Sequence, residues 1–195
     1  MLKHKAFTLI ELMVVVSIIG VLAAILVPGV AKLVDKARVS KTSADLIIIR
    51  DAENTYMADV GSYPPCVWEF GRAWGADVGL LDRGNVTGNH VAAWNGPYVR
   101  DWPQRTAWGG AAASGCGTPQ GADYVHGPIG WFDRDGIGGN DNWLHMNPNC
   151  VWYPASMVAA LDAVMDDGNL ATGTFRDGGS GVYVYYYVGE GTRSW

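Results

Sequence analysis

Phe7-Thr8-Leu9-Ile10-Glu11-Leu12-Met13-Val14-Val15-Val16-Ser17-Ile18-Ile19-Gly20-Val21-Leu22-Ala23-Ala24-Ile25-Leu26-Val27-Pro28 decides how the rest of the chain is read. At about 1.5 Å per residue, a helix from Phe7 to Val27 reaches about 30 Å, the thickness of bilayer hydrocarbon. Its only ionisable side chain is Glu11, near the start. A charge at the centre of a membrane helix costs about 2.5–3.5 kcal/mol on insertion scales and less near an interface. Glu11 is therefore expected to sit shallow or beside a cation.

Upstream, Met1-Leu2-Lys3-His4-Lys5-Ala6 is basic but too short for the two regions of a removable secretory signal, so the apolar run belongs to the mature protein. Downstream, Leu33, Ala37, Ala44, Ile48, Ala52 and Tyr56 recur mostly four apart, and charged residues from Lys32 to Glu53 fill much of the rest. This predicts that the helix continues as an amphipathic one, with Ala44, Ile48, Ala52 and Tyr56 on its packed face. Gly61 and Pro64-Pro65 should stop it, since proline lacks a donor and disfavours helix in the residue before it. Gly20 and Pro28 mark places where it can bend. Counting positive charges does not set the orientation: Lys3 and Lys5 on one side face Lys32, Lys36, Arg38 and Lys41 on the other.

Phe7-Thr8-Leu9-Ile10-Glu11, the apolar run behind it and Pro28 resemble the N-terminus of type IV pilins and of the pseudopilins of type II secretion systems. The resemblance implies a leader, residues 1–6, cut between Ala6 and Phe7 by a prepilin peptidase; the family usually has Gly where this chain has Ala6. It implies a methylated amine on Phe7, a Glu11 that pairs with the amine of a neighbouring subunit, and Pro28 as the helix-kinking proline. Asp59-Val60-Gly61-Ser62-Tyr63-Pro64-Pro65 is similar to the helix end of major pseudopilins. Trp94-Asn95-Gly96-Pro97-Tyr98, with Trp102-Pro103 and Trp108-Gly109, resembles the stretch that opens the sheet in that family. The implied architecture is α+β: one long helix over 7–63, transmembrane over 7–27, packed on a small antiparallel head over 64–195 with loop insertions.

Length and composition suit that head. The 195 residues, less the apolar span, leave one compact domain with a modest core. With 26 Gly, 9 Trp and 17% charged residues, the domain reads as turn-rich and stabilised by large aromatic groups. The net charge of −5 becomes more acidic once Lys3 and Lys5 are removed, which argues against a nucleic-acid surface. Val78 to Leu81 lies in a loop or short helix. Gly121 to Phe132 supports one or two short strands. Pro154 to Asp166 reads as a helix capped by Ser156 and stopped by Gly168. Gly181 to Gly189, β-branched and aromatic throughout, reads as a strand central in its sheet.

Asp133-Arg134-Asp135-Gly136-Ile137-Gly138-Gly139-Asn140-Asp141-Asn142 has the logic of a calcium site, because Ca²⁺ takes six to eight oxygens and closely spaced Asp and Asn on Gly linkers supply them. It is not an EF-hand, lacking the glutamate at the twelfth position and flanking helices. A solvated turn of turn-favouring residues is the plain alternative. The resemblance adds that major pseudopilins bind calcium in a similar loop, placing Asp133, Asp135 and Asp141 in the matching region. Cys66, Cys116 and Cys150 allow one intramolecular disulfide in three pairings, of which Cys116 with Cys150, flanking the Gly-rich centre, is preferred. His90, His126 and His145 show no metal-ligand spacing, and no catalytic cluster stands out.

The function that follows is structural: a subunit stored in the inner membrane as a single-pass protein, head in the periplasm, and built into a homo-oligomeric type II secretion pseudopilus or type IV pilus-like filament. The implied partners are the prepilin peptidase, the inner-membrane assembly platform and minor pseudopilins. The alternative is a minor tip subunit whose Trp- and Gly-rich head contacts a secreted substrate or a surface.

Overall fold

A computed structural model describes residues 7–64, 77–86, 88–101, 103, 107, 123–126, 141–147, 153–177 and 184–191. Cys66, Cys116, Cys150, Ala6, Asp133 and Asp135 lie outside the described residues.

Helix α1 spans Leu9–Val60 and contains Pro28. Pro28 withholds the N–H that the carbonyl of Ala24 would otherwise accept, yet the helix runs through it without a break. It ends three residues short of the expected bound at 63, at the first of the expected stops: Gly61 adopts φ +84°, a conformation open to glycine, and donates its N–H to Met57 O at 2.8 Å. The chain divides into two compact units, residues 1–38 and 39–195. The first holds the apolar half of α1, long and apolar enough to cross a membrane, with none of that window buried within the chain.

The second unit begins inside α1 and contains the head. Its sheet comprises β1 (Asp123–His126), β2 (Asp141–Asn147), β3 (Phe175–Asp177) and β4 (Val184–Glu190), all antiparallel in the order β1-β2-β4-β3. Leu144 faces Tyr186 across β2 and β4, and Phe175 faces Tyr186 from β3. The expectation of a central, two-sided strand holds for β4: Val184, Tyr185, Tyr186 and Val188 are all buried. A bulge between Asn142 and Trp143 shifts the β2 register, and Trp143 packs edge-on against Tyr187, ring centroids 5.4 Å apart. Helix α2 (Ala155–Met165) contributes Met157, Val158 and Leu161 to a core shared with Leu46, Ile49, Ala52 and Tyr56 of α1, Leu144 and Met146 of β2, and Val184, Tyr186 and Val188 of β4. Each fully buried large apolar side chain contributes about 1.5–3 kcal/mol.

Three expectations change. The packed face of α1 is Leu46, Ile49, Ala52, Glu53 and Tyr56, while Ile48 is 50% exposed and Ala44 is also exposed. Of the line of four, Ala52 and Tyr56 are buried as expected, while Leu46 and Ile49 take the places expected of Ala44 and Ile48. Helix α2 has Pro154 at its N-cap with no side-chain cap, so Ser156 does not cap it; the fixed φ of proline already suits a helix start. Part of the Asp/Asn run expected as loop is strand, with Asp141 and Asn142 at the head of β2.

The Trp94–Tyr98 stretch precedes β1 and is irregular. It clamps α1 through rings: Tyr98 packs edge-on against Tyr56 at 5.5 Å and against Trp94 at 5.7 Å, while Trp94 Nε1 donates to Gly79 O at 2.7 Å. A Cβ at Gly96 would lie 2.6 Å from Trp94 Cζ2 and 2.8 Å from Tyr98 Cδ2. Gly96→Ala is thus expected to cost about 1–3 kcal/mol by overpacking. At roughly 2–4 °C per kcal/mol, thermal unfolding should drop by about 2–12 °C; an unchanged midpoint would show that the clamp tolerates a methyl.

Candidate functional site

The first site is the start of α1. Thr8 and Glu11 satisfy each other: the Thr8 N–H and Oγ1 donate to Glu11 Oε2 at 2.9 and 2.8 Å, and the Glu11 N–H donates to Thr8 Oγ1 at 3.3 Å. This is a capping box, in which the side chains of the N-cap and of the third helical residue cover each other's backbone donors. The Thr-x-x-Glu spacing was legible in the sequence, and the reading of Glu11 as an assembly contact passed over it. The box uses Oε2, whereas an ionised carboxylate offers about four lone-pair sites, so capacity for a cation is left. Phe7 is 81% exposed, as are large parts of Leu9, Ile10, Leu12 and Met13.

The second site is the expected calcium region. Of the three candidates, Asp141 lies within the described residues, and Asp133 and Asp135 lie outside them. Asp141 opens β2 and is 2% exposed, and the adjacent Asn142 Nδ2 donates to Gly191 O at 2.8 Å.

A third cluster was not read from the sequence. Asp162, Asp166 and Asp167, at the end of α2, bring one carboxylate oxygen each to within 4.8 Å of one another. Asp166 Oδ2 accepts from the N–H groups of Thr174 and of Phe175, the latter at 3.1 Å. Asp167 Oδ1 accepts from the Asn169 N–H and Oδ2 from Thr172 Oγ1, both at 2.8 Å. Asp162 is fully buried and neither of its carboxylate oxygens has a hydrogen-bond partner. Burial, then the Asp167 and Asp166 charges, push its pKa up to about 6. The Asp spacing of four and one was visible in the sequence; burial of the first was not.

Along β4, Arg50 Nη1 donates to Tyr186 Oη at 2.7 Å and Arg50 pairs with Asp51 at 2.7 Å. Asn54 Nδ2 donates to Val188 O at 3.3 Å, and Asn54 Oδ1 accepts from Tyr63 Oη at 2.7 Å. These contacts fasten the second half of α1 to β4.

An exposed apolar helix opening on a capped carboxylate, continuing into a four-stranded antiparallel head, defines a class of helix-tailed α+β subunits. Within that class, residues 1–27 match the family described as the prokaryotic N-terminal methylation motif. The chain is 36% identical over 107 residues to type II secretion system core protein G of Aeromonas hydrophila, covering 55% of this chain and 69% of that protein. It is 44% identical over 62 residues to core protein G of Pseudomonas aeruginosa, covering 32% and 44%, and 34% identical over 91 residues to the type IV major pilin protein PilA of Myxococcus xanthus, covering 47% and 38%. The chain thus spans less than half the length of the latter two relatives. No solved structure matches it significantly. The chain belongs to the type IV pilin and type II secretion pseudopilin family.

Proposed function

We propose that this chain is a structural subunit of a type II secretion pseudopilus or a related type IV pilus-like filament. The observation that carries the reading is the first half of α1, an apolar surface without cover from its own chain and with Glu11 at its start. A prepilin peptidase cuts between Ala6 and Phe7, and the new Phe7 amine is methylated. The subunit waits as a single-pass inner-membrane protein with its head in the periplasm, until the assembly platform and minor pseudopilins draw it into a filament. There Glu11 meets the Phe7 amine of a neighbour. Each charge alone in lipid is costly, so the pair relieves two costs at once and fixes the axial register. Pro28 is where the helix bends to pack among its neighbours. The three named relatives are two secretion-system core proteins and a pilin, which supports a structural rather than an enzymatic role.

Calcium at Asp133, Asp135 and Asp141 belongs to the same proposal. Its support is Asp141, a buried carboxylate anchored at the head of β2, and the oxygen-rich composition of the loop before it. Calcium there would neutralise the carboxylates and fix the loop against the sheet.

Mass spectrometry of the N-terminal peptide from chain extracted from its native membrane tests the processing. The expected peptide begins at N-methylated Phe7; a membrane-bound population beginning at Met1 or carrying an unmodified Phe7 overturns it.

A further inference from the structure

The last turn of α2 carries a carboxylate that folding alone does not explain. Asp166 and Asp167 have local work: one holds the first N–H groups of β3 and the other shapes the turn through Asn169 and Thr172. Asp162 has none. It lies one turn back on α2, fully buried, with both oxygens lacking a hydrogen-bond partner, in the same core helix as Val158 and Leu161. A buried polar group without a hydrogen bond is rare, and a buried carboxylate facing two more is rarer. None of the described ion pairs, Arg38–Asp35, Lys41–Asp45 and Arg50–Asp51, reaches this cluster. A leucine at 162 would fill a core position of a helix at less cost.

We infer that Asp162, Asp166 and Asp167 form a binding site for one calcium ion, separate from the loop at residues 133–141. Ca²⁺ bonds oxygen at about 2.3–2.6 Å, so ligands of one ion lie no more than about 5 Å apart. The three carboxylate oxygens lie within 4.8 Å of one another, which meets that limit without moving the backbone. Mg²⁺ demands about 2.0–2.1 Å and near-octahedral geometry, a tighter fit. An all-carboxylate set suits a hard cation, not zinc or copper. Asp166 and Asp167 keep their turn contacts through lone pairs not directed at the ion, since each carboxylate has about four acceptor sites. The ion gives Asp162 a partner and joins the end of α2 to the start of β3, which lies beside the central strand β4.

The test uses the full-length chain in detergent micelles. Calcium or magnesium chloride is added after EDTA treatment, bound calcium is counted by equilibrium dialysis, and unfolding is followed by tryptophan fluorescence. Sites of this kind in extracellular modules bind at about 10⁻⁴–10⁻³ M, so low-millimolar calcium should raise the unfolding temperature by about 2–6 °C. Asp162→Asn keeps the shape and removes the buried charge. It should lose one calcium per chain and the matching part of the shift, while in EDTA it unfolds no lower than the unaltered chain. Asp133→Asn with Asp135→Asn should leave this ion in place, so failure of the loop site is distinguishable. If Asp162→Asn binds as many calcium ions as the unaltered chain, or if magnesium gives the larger shift, the inference is overturned. Should Asp162→Asn fail to fold, the dialysis count on Asp167→Asn is read in the same way.

Discussion

Glu11→Ala is expected to abolish filament assembly while leaving the unfolding temperature of the head unchanged. Two roles meet at this side chain, and they differ in size. As the third helical residue of the capping box it stabilises the start of α1, where losing such a cap costs about 1 kcal/mol. As the proposed partner of a neighbour's amine in lipid it is worth more, because breaking a buried pair by removing one member costs about 3–5 kcal/mol. At 1.4 kcal/mol per factor of ten, that is roughly two to four orders of magnitude in each subunit's association. Two further variants separate the roles. Glu11→Gln keeps an acceptor for Thr8 but has no charge, and should fail to assemble as the alanine variant does. Thr8→Val keeps the charge and removes the cap, and should assemble at somewhat lower abundance. Filaments of Glu11→Gln at normal abundance in purified sheared fractions would remove the charge from the mechanism and leave Glu11 a helix cap alone.

The parts of this molecule that depend on local chemistry were readable in advance. The unbroken apolar run, the Gly61 stop and the two-sided β4 need only hydropathy, a glycine conformation and β-branched or aromatic residues in a row. What escaped depends on partners far along the chain. Strand β2 begins with Asp141-Asn142, residues that favour turns, and becomes a strand because Trp143, Leu144 and Met146 find cover against β4. Strand β3 is three residues long, too short for any alternation to register. The buried state of Asp162 follows from α2 packing into the core, while its spacing from Asp166 and Asp167 looks like an ordinary polar helix end. The Thr8–Glu11 box is the opposite case: its signal, Thr-x-x-Glu at a helix start, is local and complete in the sequence.

Ile47-Ile48-Ile49 poses the ambiguity of α1 in its sharpest form, since three identical side chains in a row place about 100° of helix rotation between neighbours. The structure chooses Ile49, with no exposure, over Ile48 at 50% and Ile47 at 40%. Ile49→Ala should therefore cost about 2–5 kcal/mol, the transfer of the side chain plus the cavity it leaves among Leu46, Tyr56 and the sheet residues of the core. At roughly 2–4 °C per kcal/mol for a domain of this size, the unfolding midpoint should fall by about 10 °C. Ile48→Ala removes the same atoms from a surface position and replaces a β-branched residue with the best helix former, so its effect should stay within about 0.5 kcal/mol. Thermal unfolding of both full-length variants in detergent decides the face: if Ile48→Ala is the more damaging, α1 meets the sheet one residue out of the register described. A third outcome is informative about assembly. If Ile48→Ala retains the unfolding temperature but yields few filaments, that exposed isoleucine is held by a neighbouring subunit, and the helix serves the head with one face and the filament with the other.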